Sequence, residues 1–225
     1  MTARQPRLVF ADPGEAAGLD AFLRRLLRWE KAAAVRIQAG SGVVGIFAKP
    51  ARFEVLAVRT ARLLEPAGAD AEIDVTVSAG ELLEGVDEPA EAFAVPTAVT
   101  GPPWAGMLPP RGGWEAFGEV PADAVRAVAA AAVGEFRERA EKLGQQERTR
   151  ERLDGLAEEI WSRPLGRTEL PLRAVHAAHA LGFLAGEGQL KLLKAGPWLR
   201  LRTPAGSVVV RSSQGRAPGL SVTPV

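Results

Sequence analysis

The only two histidines, His176 and His179, stand three residues apart, a spacing that on one helix face lets a single metal ion bridge both imidazoles. The nearest carboxylates in sequence, Glu169 and Glu187, fall at the two ends of that stretch. The ligand set is incomplete, and the pair reads as partly buried structural imidazoles. Gly40-Ser41-Gly42-Val43-Val44-Gly45 fits the G-x-G-x-x-G spacing of dinucleotide-binding turns. That chemistry requires a helix to begin inside the motif, because the helix N-terminus holds the pyrophosphate. Residues 43–48 are β-like and Pro50 would fall inside the new helix, so a hairpin turning at Gly40-Ser41 is expected instead. It would set Ile37 opposite Val44 and Val35 opposite Ile46. Acid–base chemistry by a carboxylate pair could draw on Asp70, Glu72, Asp74, Glu81, Glu84, Asp87, Glu88 and Glu91. Nothing in their spacing isolates two of them, and they read as solvated surface. With no Cys and no Tyr, thiolate catalysis, Fe–S clusters and Cys-based zinc sites are excluded. No catalytic, cofactor-binding or metal-binding residue is assigned, and no cofactor is expected.

The distribution of charge is more specific than any motif. A net of +1 hides twelve Asp/Glu against the single Arg111 over residues 65–123, a net of −11. Residues 163–216 hold nine Lys/Arg against Glu169 and Glu187, a net of +7. Such asymmetry predicts either a basic face for a partner or two segments that complement each other, within the chain or across a homodimer. Docking of basic on acidic is the expected outcome. A total charge of +1 is poor for steering toward a polyanion, so nucleic acid is a partner not favoured.

The elements follow from periodicity. Ala16, Leu19, Phe22, Leu23, Leu26 and Leu27 recur at helical intervals over residues 15–29. Val- and Ile-rich runs at 33–39, 42–48, 52–64 and 72–78 are joined by short turns and predict antiparallel pairing, with 52–64 also tolerating a helix. Ser78 and Glu81 form a capping-box pattern for a short helix. Beyond Pro121, apolar residues trace a helix up to Gly144, then a second from about 146 to 161 and a third from about 170 to 184. Two strands follow, about 198–203 and 207–212, and a loose tail begins near residue 214. No stretch has the roughly 20 apolar residues a bilayer requires, and the N-terminus lacks a signal-peptide pattern, so a cytoplasmic address without membrane is expected.

Between the two halves, residues 95–121 hold six Pro and five Gly around Trp104, Met107, Leu108, Trp114 and Phe117. This predicts an ordered connector anchored by its own apolar side chains, since burying even two of them contributes several kcal/mol at roughly 25 cal/mol per Å². Its run GPPWAGMLPPRGGWEAFGEVPAD, residues 101–123, resembles uncharacterised conserved proteins of actinobacteria, a family of unknown function. The resemblance extends over the middle and C-terminal half and implies no activity or site.

The expected fold is α+β: an antiparallel sheet with a packed helix over residues 1–95, the connector over 96–120, a helical segment ending in a β-hairpin over 121–213, and the tail over 214–225. The expected function is a non-enzymatic protein- or ligand-interaction module. Its candidate interaction surface is Trp104, Trp114, Lys191, Lys194, Arg200, Arg202 and Arg211. One alternative is a nucleic-acid-binding protein with a winged-helix-like basic C-terminal third. The third helix argues against it, offering only Arg173, His176 and His179 among apolar neighbours for base edges. The other alternative is an enzyme with a carboxylate-based site.

Overall fold

A computed structural model describes residues 6–64, 72–144 and 147–212. The chain runs β1 (Arg7–Val9), α1 (Glu15–Trp29), β2 (Ala34–Gly40), β3 (Val43–Ala48), β4 (Leu56–Arg62), β5 (Ile73–Ser78), α2 (Ala79–Glu84), β6 (Val86–Asp87) and β7 (Ala92–Ala94). A 3-10 turn at Pro103–Gly106 precedes β8 (Glu115–Pro121), α3 (Ala122–Lys142), α4 (Arg150–Trp161), α5 (Leu172–Ala180), β9 (Gln189–Ala195), β10 (Trp198–Thr203) and β11 (Gly206–Arg211). The class is α+β, with antiparallel sheets.

One eight-stranded sheet, in the order β5-β2-β3-β4-β11-β10-β9-β8, takes strands from both sides of the connector. The seam is the antiparallel pairing of β4 with β11, Leu56 opposite Val209 and Val58 opposite Ser207. On each side of it a strand and helical region lead into three meandering strands, the last of which lies at the seam. A small sheet, β1-β7-β6, closes one end.

Period-two alternation divides the sheet into two faces. Ile37, Ile46, Ala57, Val208, Val210, Leu199, Leu201 and Leu192 point into the main core with Leu19, Phe22, Leu23 and Leu26 of α1, Val125 of α3, Ile160 of α4 and Val175 of α5. Phe22 stacks on Phe183 with ring centroids 5.5 Å apart, joining α1 to the segment after α5. Phe47, Leu56, Val58 and Val209 face the other way and form a second, smaller core. Covered on both faces, β4 and β11 read as unbroken apolar runs at Leu56-Ala57-Val58 and Val208-Val209-Val210.

Several elements match the sequence expectation, and others depart from it for identifiable reasons. Helix α1 occupies the expected residues, and Ser78 accepts a hydrogen bond from the Glu81 amide at 3.4 Å as the cap of α2. The hairpin turns at Ser41-Gly42, not Gly40-Ser41, because these two residues take the positive φ values of 51° and 74° that such a turn requires. The register consequently sets Ile37 opposite Ile46 and Val35 opposite Ala48. The 52–64 run forms a strand only from Leu56, after Arg52 and Glu54 adopt left-handed backbone. The third helix ends at Ala180, earlier than expected, because Gly182 takes φ 76° and the Phe183 amide bonds back to the Ala178 carbonyl at 2.8 Å. The second helix starts at Arg150, capped by the Thr149 hydroxyl. The tail from residue 214 lies outside the described residues.

The winged-helix arrangement does not form. β10 and β11 are interior strands, each paired on both sides, so no two-stranded wing projects. Helix α5 buries Leu172, Ala174, Val175, Ala177 and Ala178 against the sheet.

Candidate binding hollow beneath the connecting strap

The connector runs across the outer face of the sheet, from the β5 edge to the β8 edge. Its Val99 amide bonds the Thr76 carbonyl of β5 at 2.8 Å. Arg36 of β2 donates to the Ala105 carbonyl while its guanidinium grips Asp74 with two bonds of 2.6 and 2.8 Å. Trp104, Leu108, Trp114 and Trp198 then settle on Phe47, Leu56, Val58 and Val209. The Trp114 indole closes the strap on itself, donating to the Pro110 carbonyl at 2.9 Å. Met107 and Phe117 do not join this cover: they are 60% and 39% exposed. Gly106 lifts Met107 past the 3-10 turn, and Phe117 stands at the bulge between Ala116 and Gly118 of edge strand β8.

Beneath Pro109, Pro110 and Arg111 the strap roofs a cavity of about 200 Å³. Its floor includes Gly40, Gly45, Phe47, Val58 and Thr60, and Arg200 of β10 forms one wall. The glycines flagged by the dinucleotide spacing thus shape the hollow as strand residues. At Gly45 a Cβ would stand 3.0 Å from the Phe47 ring, so the missing side chain leaves room for that ring.

Arg200 is the electrostatic anomaly. Its guanidinium carbon sits 5.4 Å from the centre of the Trp114 ring. Its Nε is buried without a hydrogen-bond partner, and among the described residues it has no ion pair within 4 Å. Burial, and then the neighbouring Arg202, push its pKa below the ordinary arginine value. Buried polar atoms are normally satisfied, and a partly desolvated cation without a partner destabilises the fold unless something compensates it. Stacking on Trp114 supplies about 0.5–2 kcal/mol of that. Arg111 adds positive charge to the rim and lowers the Asp74 pKa after the larger effects of Arg36, burial and Gln38.

The candidate surface residues separate by strand alternation. Trp198, Arg200 and Arg202 alternate with core residues on β10, and their register partners Arg211 and Lys191 share the outer face with Trp104 and Trp114. Arg211 lies 5.3 Å over the Trp198 ring. Lys194 is opposite Leu199 and turns to the helical side, where it bonds Glu169 at 2.9 Å. Phe47, Gly45, Thr60 and Trp198 were not anticipated. The signal for Phe47 was its place one residue out of phase with Val44 and Ile46, a large ring on a face that only a cover could keep dry.

Within the described residues the basic segment is not neutralised by ion pairs to the acidic one. Arg163 pairs with Glu135 and Glu159, and Arg173 with Glu158, all on α3 and α4. The charged residues of the two segments meet across neighbouring strands, Glu115 opposite Lys194 and Glu119 opposite Lys191. The crowded acidic run is likewise dispersed: Asp74 binds Arg36, Asp87 binds Arg7 at 2.6 Å, and Glu91 accepts from the Gly14 and Ala16 amides of α1 at 2.6 and 3.0 Å. Each of these partners holds its carboxylate below the usual range. A general acid needs the opposite shift. His176 stacks on Trp161 at 4.0 Å and lies 4.9 Å from Phe53, while His179 is exposed. Among the described residues no three His, Cys, Asp or Glu cluster as metal ligands, and no helix is long and apolar enough to cross a membrane.

Both halves match domains of unknown function. Residues 3–106 match the domain of unknown function DUF8010, and residues 109–215 match DUF8185. No curated protein matches the chain. Among solved structures, the DNA polymerase sliding clamp from Pseudomonas aeruginosa is similar, with a TM-score of 0.50 at 12% identity, covering 96% of this chain and 66% of the clamp. The Helicobacter pylori β clamp bound to a DNA ligase peptide gives a TM-score of 0.45 at 14% identity, covering 97% of this chain and 70% of that one. The chain spans about two thirds of the length of the clamps it matches. What it shares with the Pseudomonas aeruginosa clamp is the fold.

Proposed function

We propose that the chain is a cytoplasmic, non-enzymatic interaction module on a clamp-like fold, and that its ligand seats on the outer face of the sheet in the hollow beneath the strap. The observation that supports this reading is Arg200, a half-buried guanidinium on the wall of that hollow, stacked on Trp114 and without an ion pair among the described residues. Apolar concavities with a few convergent polar groups are the usual seats of small ligands. The nucleic-acid reading draws on the fold shared with DNA polymerase sliding clamps. Against it, Arg24, Arg139, Lys142, Arg150, Arg163 and Arg173 on the helical side are already ion-paired with carboxylates there. On the outer face, Glu119 lies opposite Lys191.

Two titrations test the proposal. Duplex DNA is titrated at low salt and at about 150 mM, where phosphate contacts give a steep salt dependence. A panel of compact neutral and anionic organic molecules is screened by thermal shift and tryptophan fluorescence. The expected result is weak DNA binding at the higher salt, and a small ligand that stabilises the wild type but not a Trp114→Ala protein. Submicromolar DNA affinity at the higher salt, falling sharply as salt rises, would overturn the proposal in favour of nucleic acid.

A further inference from the structure

We infer that the hollow selects a small organic carboxylate with a flat apolar body, the carboxylate held by Arg200 and the body lying between Phe47 and the strap prolines. The inference rests on the reading of the hollow as a binding site and adds the chemistry of what fills it. The anion follows from charge and geometry. Arg200 lines the hollow; its Nε is sealed by the protein, and its two terminal nitrogens, without a hydrogen bond or ion pair among the described residues, form a planar fork at its tip. A carboxylate matches such a fork with two parallel hydrogen bonds. Arg111 gives the same sign of potential at the hollow, and Asp74, which feels its charge, is held by Arg36 and Gln38. Arg200 is the guanidinium of the wall and matches one negative charge beside it; a phosphate dianion would leave its remaining oxygens against Val58 and Phe47. The volume, about 200 Å³, is below the usual 300–1,000 Å³ of ligand pockets, which restricts the occupant to about the size of one aromatic ring with its acid. A flat body suits the lining, where the Phe47 ring stands with Pro109 and Pro110.

The test uses phenylacetate, phenylacetamide and phenyl phosphate as probes on the full chain, followed by tryptophan fluorescence and calorimetry. Phenylacetate is expected to bind saturably, with phenylacetamide and phenyl phosphate about tenfold or more weaker, the factor a charge-assisted hydrogen bond carries. Arg200→Met should lose about the same factor, Arg200→Lys an intermediate one, and Arg137→Met, on α3 and away from the hollow, none. Should Arg200→Met fail to fold, the lysine variant and the acid-against-amide comparison on the wild type decide. Equal binding of acid and amide, or an undiminished Arg200→Met protein, overturns the carboxylate while leaving the hollow as a site. No saturable binding by any probe overturns the carboxylate, and silence across the wider panel as well overturns the site itself.

Discussion

Mild acid should destabilise the protein through His176, by an amount its surroundings set. The imidazole lies face to face with Trp161, 4.0 Å between centroids, and near Phe53, which meets Trp29 edge-on at 4.9 Å. Burial, and then His179, lower its pKa from 6.5 to about 4. Between those values the unfolded chain binds a proton that the folded one refuses, so stability is complete above pH 6.5 and falls as the pH drops toward 4. Linkage over this interval gives a ceiling of about 2 kcal/mol by pH ~5, and because part of the ring reaches solvent, screening reduces the expected loss to about 1 kcal/mol. Urea unfolding of the wild type and His176→Phe at pH values between about 7 and 5 reads this directly, since phenylalanine keeps the stacking and cannot titrate. The carboxylates are common to both proteins and cancel in the comparison; Glu159, for one, is held down at about 2 because Arg139 and then Arg163 bond it. The wild type should therefore lose about 1 kcal/mol more than the variant over the window. Parallel pH profiles would refute the reasoning.

Gly206→Ala should destabilise by about 1–3 kcal/mol in the same assay, because the new methyl would stand 2.8 Å from the Phe183 ring at a φ of 156°. Gly134→Ala, with nothing within 4 Å of the added methyl on an exposed stretch of α3, should instead leave stability unchanged or improved. Glu91→Gln should lower the melting temperature at neutral pH, since its carboxylate caps the Gly14 and Ala16 amides. These amides depress the Glu91 pKa, so the wild type's advantage should persist above the ordinary glutamate value of 4.5 and fade as the pH falls through the lower folded one. An advantage that stayed constant down to acid would show that the carboxylate charge is not what caps the helix.

Local physics was legible where neighbours in sequence decide the outcome. The α1 stripe needs only its own periodicity, and Ser78 with Glu81 needs only one turn. Partners distant in sequence were not legible. β8 is an edge strand with a bulge and a terminal proline, so it carries no clean alternation, and it exists because β9 lies beside it. Its partner Gln-Leu-Lys-Leu-Leu-Lys-Ala does alternate at Leu190 and Leu192, a signal overshadowed by the glycines before it. The helix α1 lacks a capping side chain at Gly14, and its cap comes from Glu91, 77 residues away. At the hollow, the tryptophans and Arg200 could be named from residue type, but their shared face depended on strand phase. The absence of a counterion for Arg200 could be seen only once all eight strands were in place.

The seam between β4 and β11 sets the timetable of synthesis. By the time β4 has left the ribosome, its Leu56-Ala57-Val58 edge is ready to pair, yet β11 lies about 150 residues further along. At roughly 5–20 residues per second, the ribosome takes about 8–30 seconds to deliver that partner. For that interval the nascent N-terminal half exposes a bare, apolar strand edge, the geometry through which nascent chains adhere to one another. Slowing elongation beyond β4 should therefore raise aggregation, and supplying residues 109–212 in trans should suppress it by lending the waiting edge its β11.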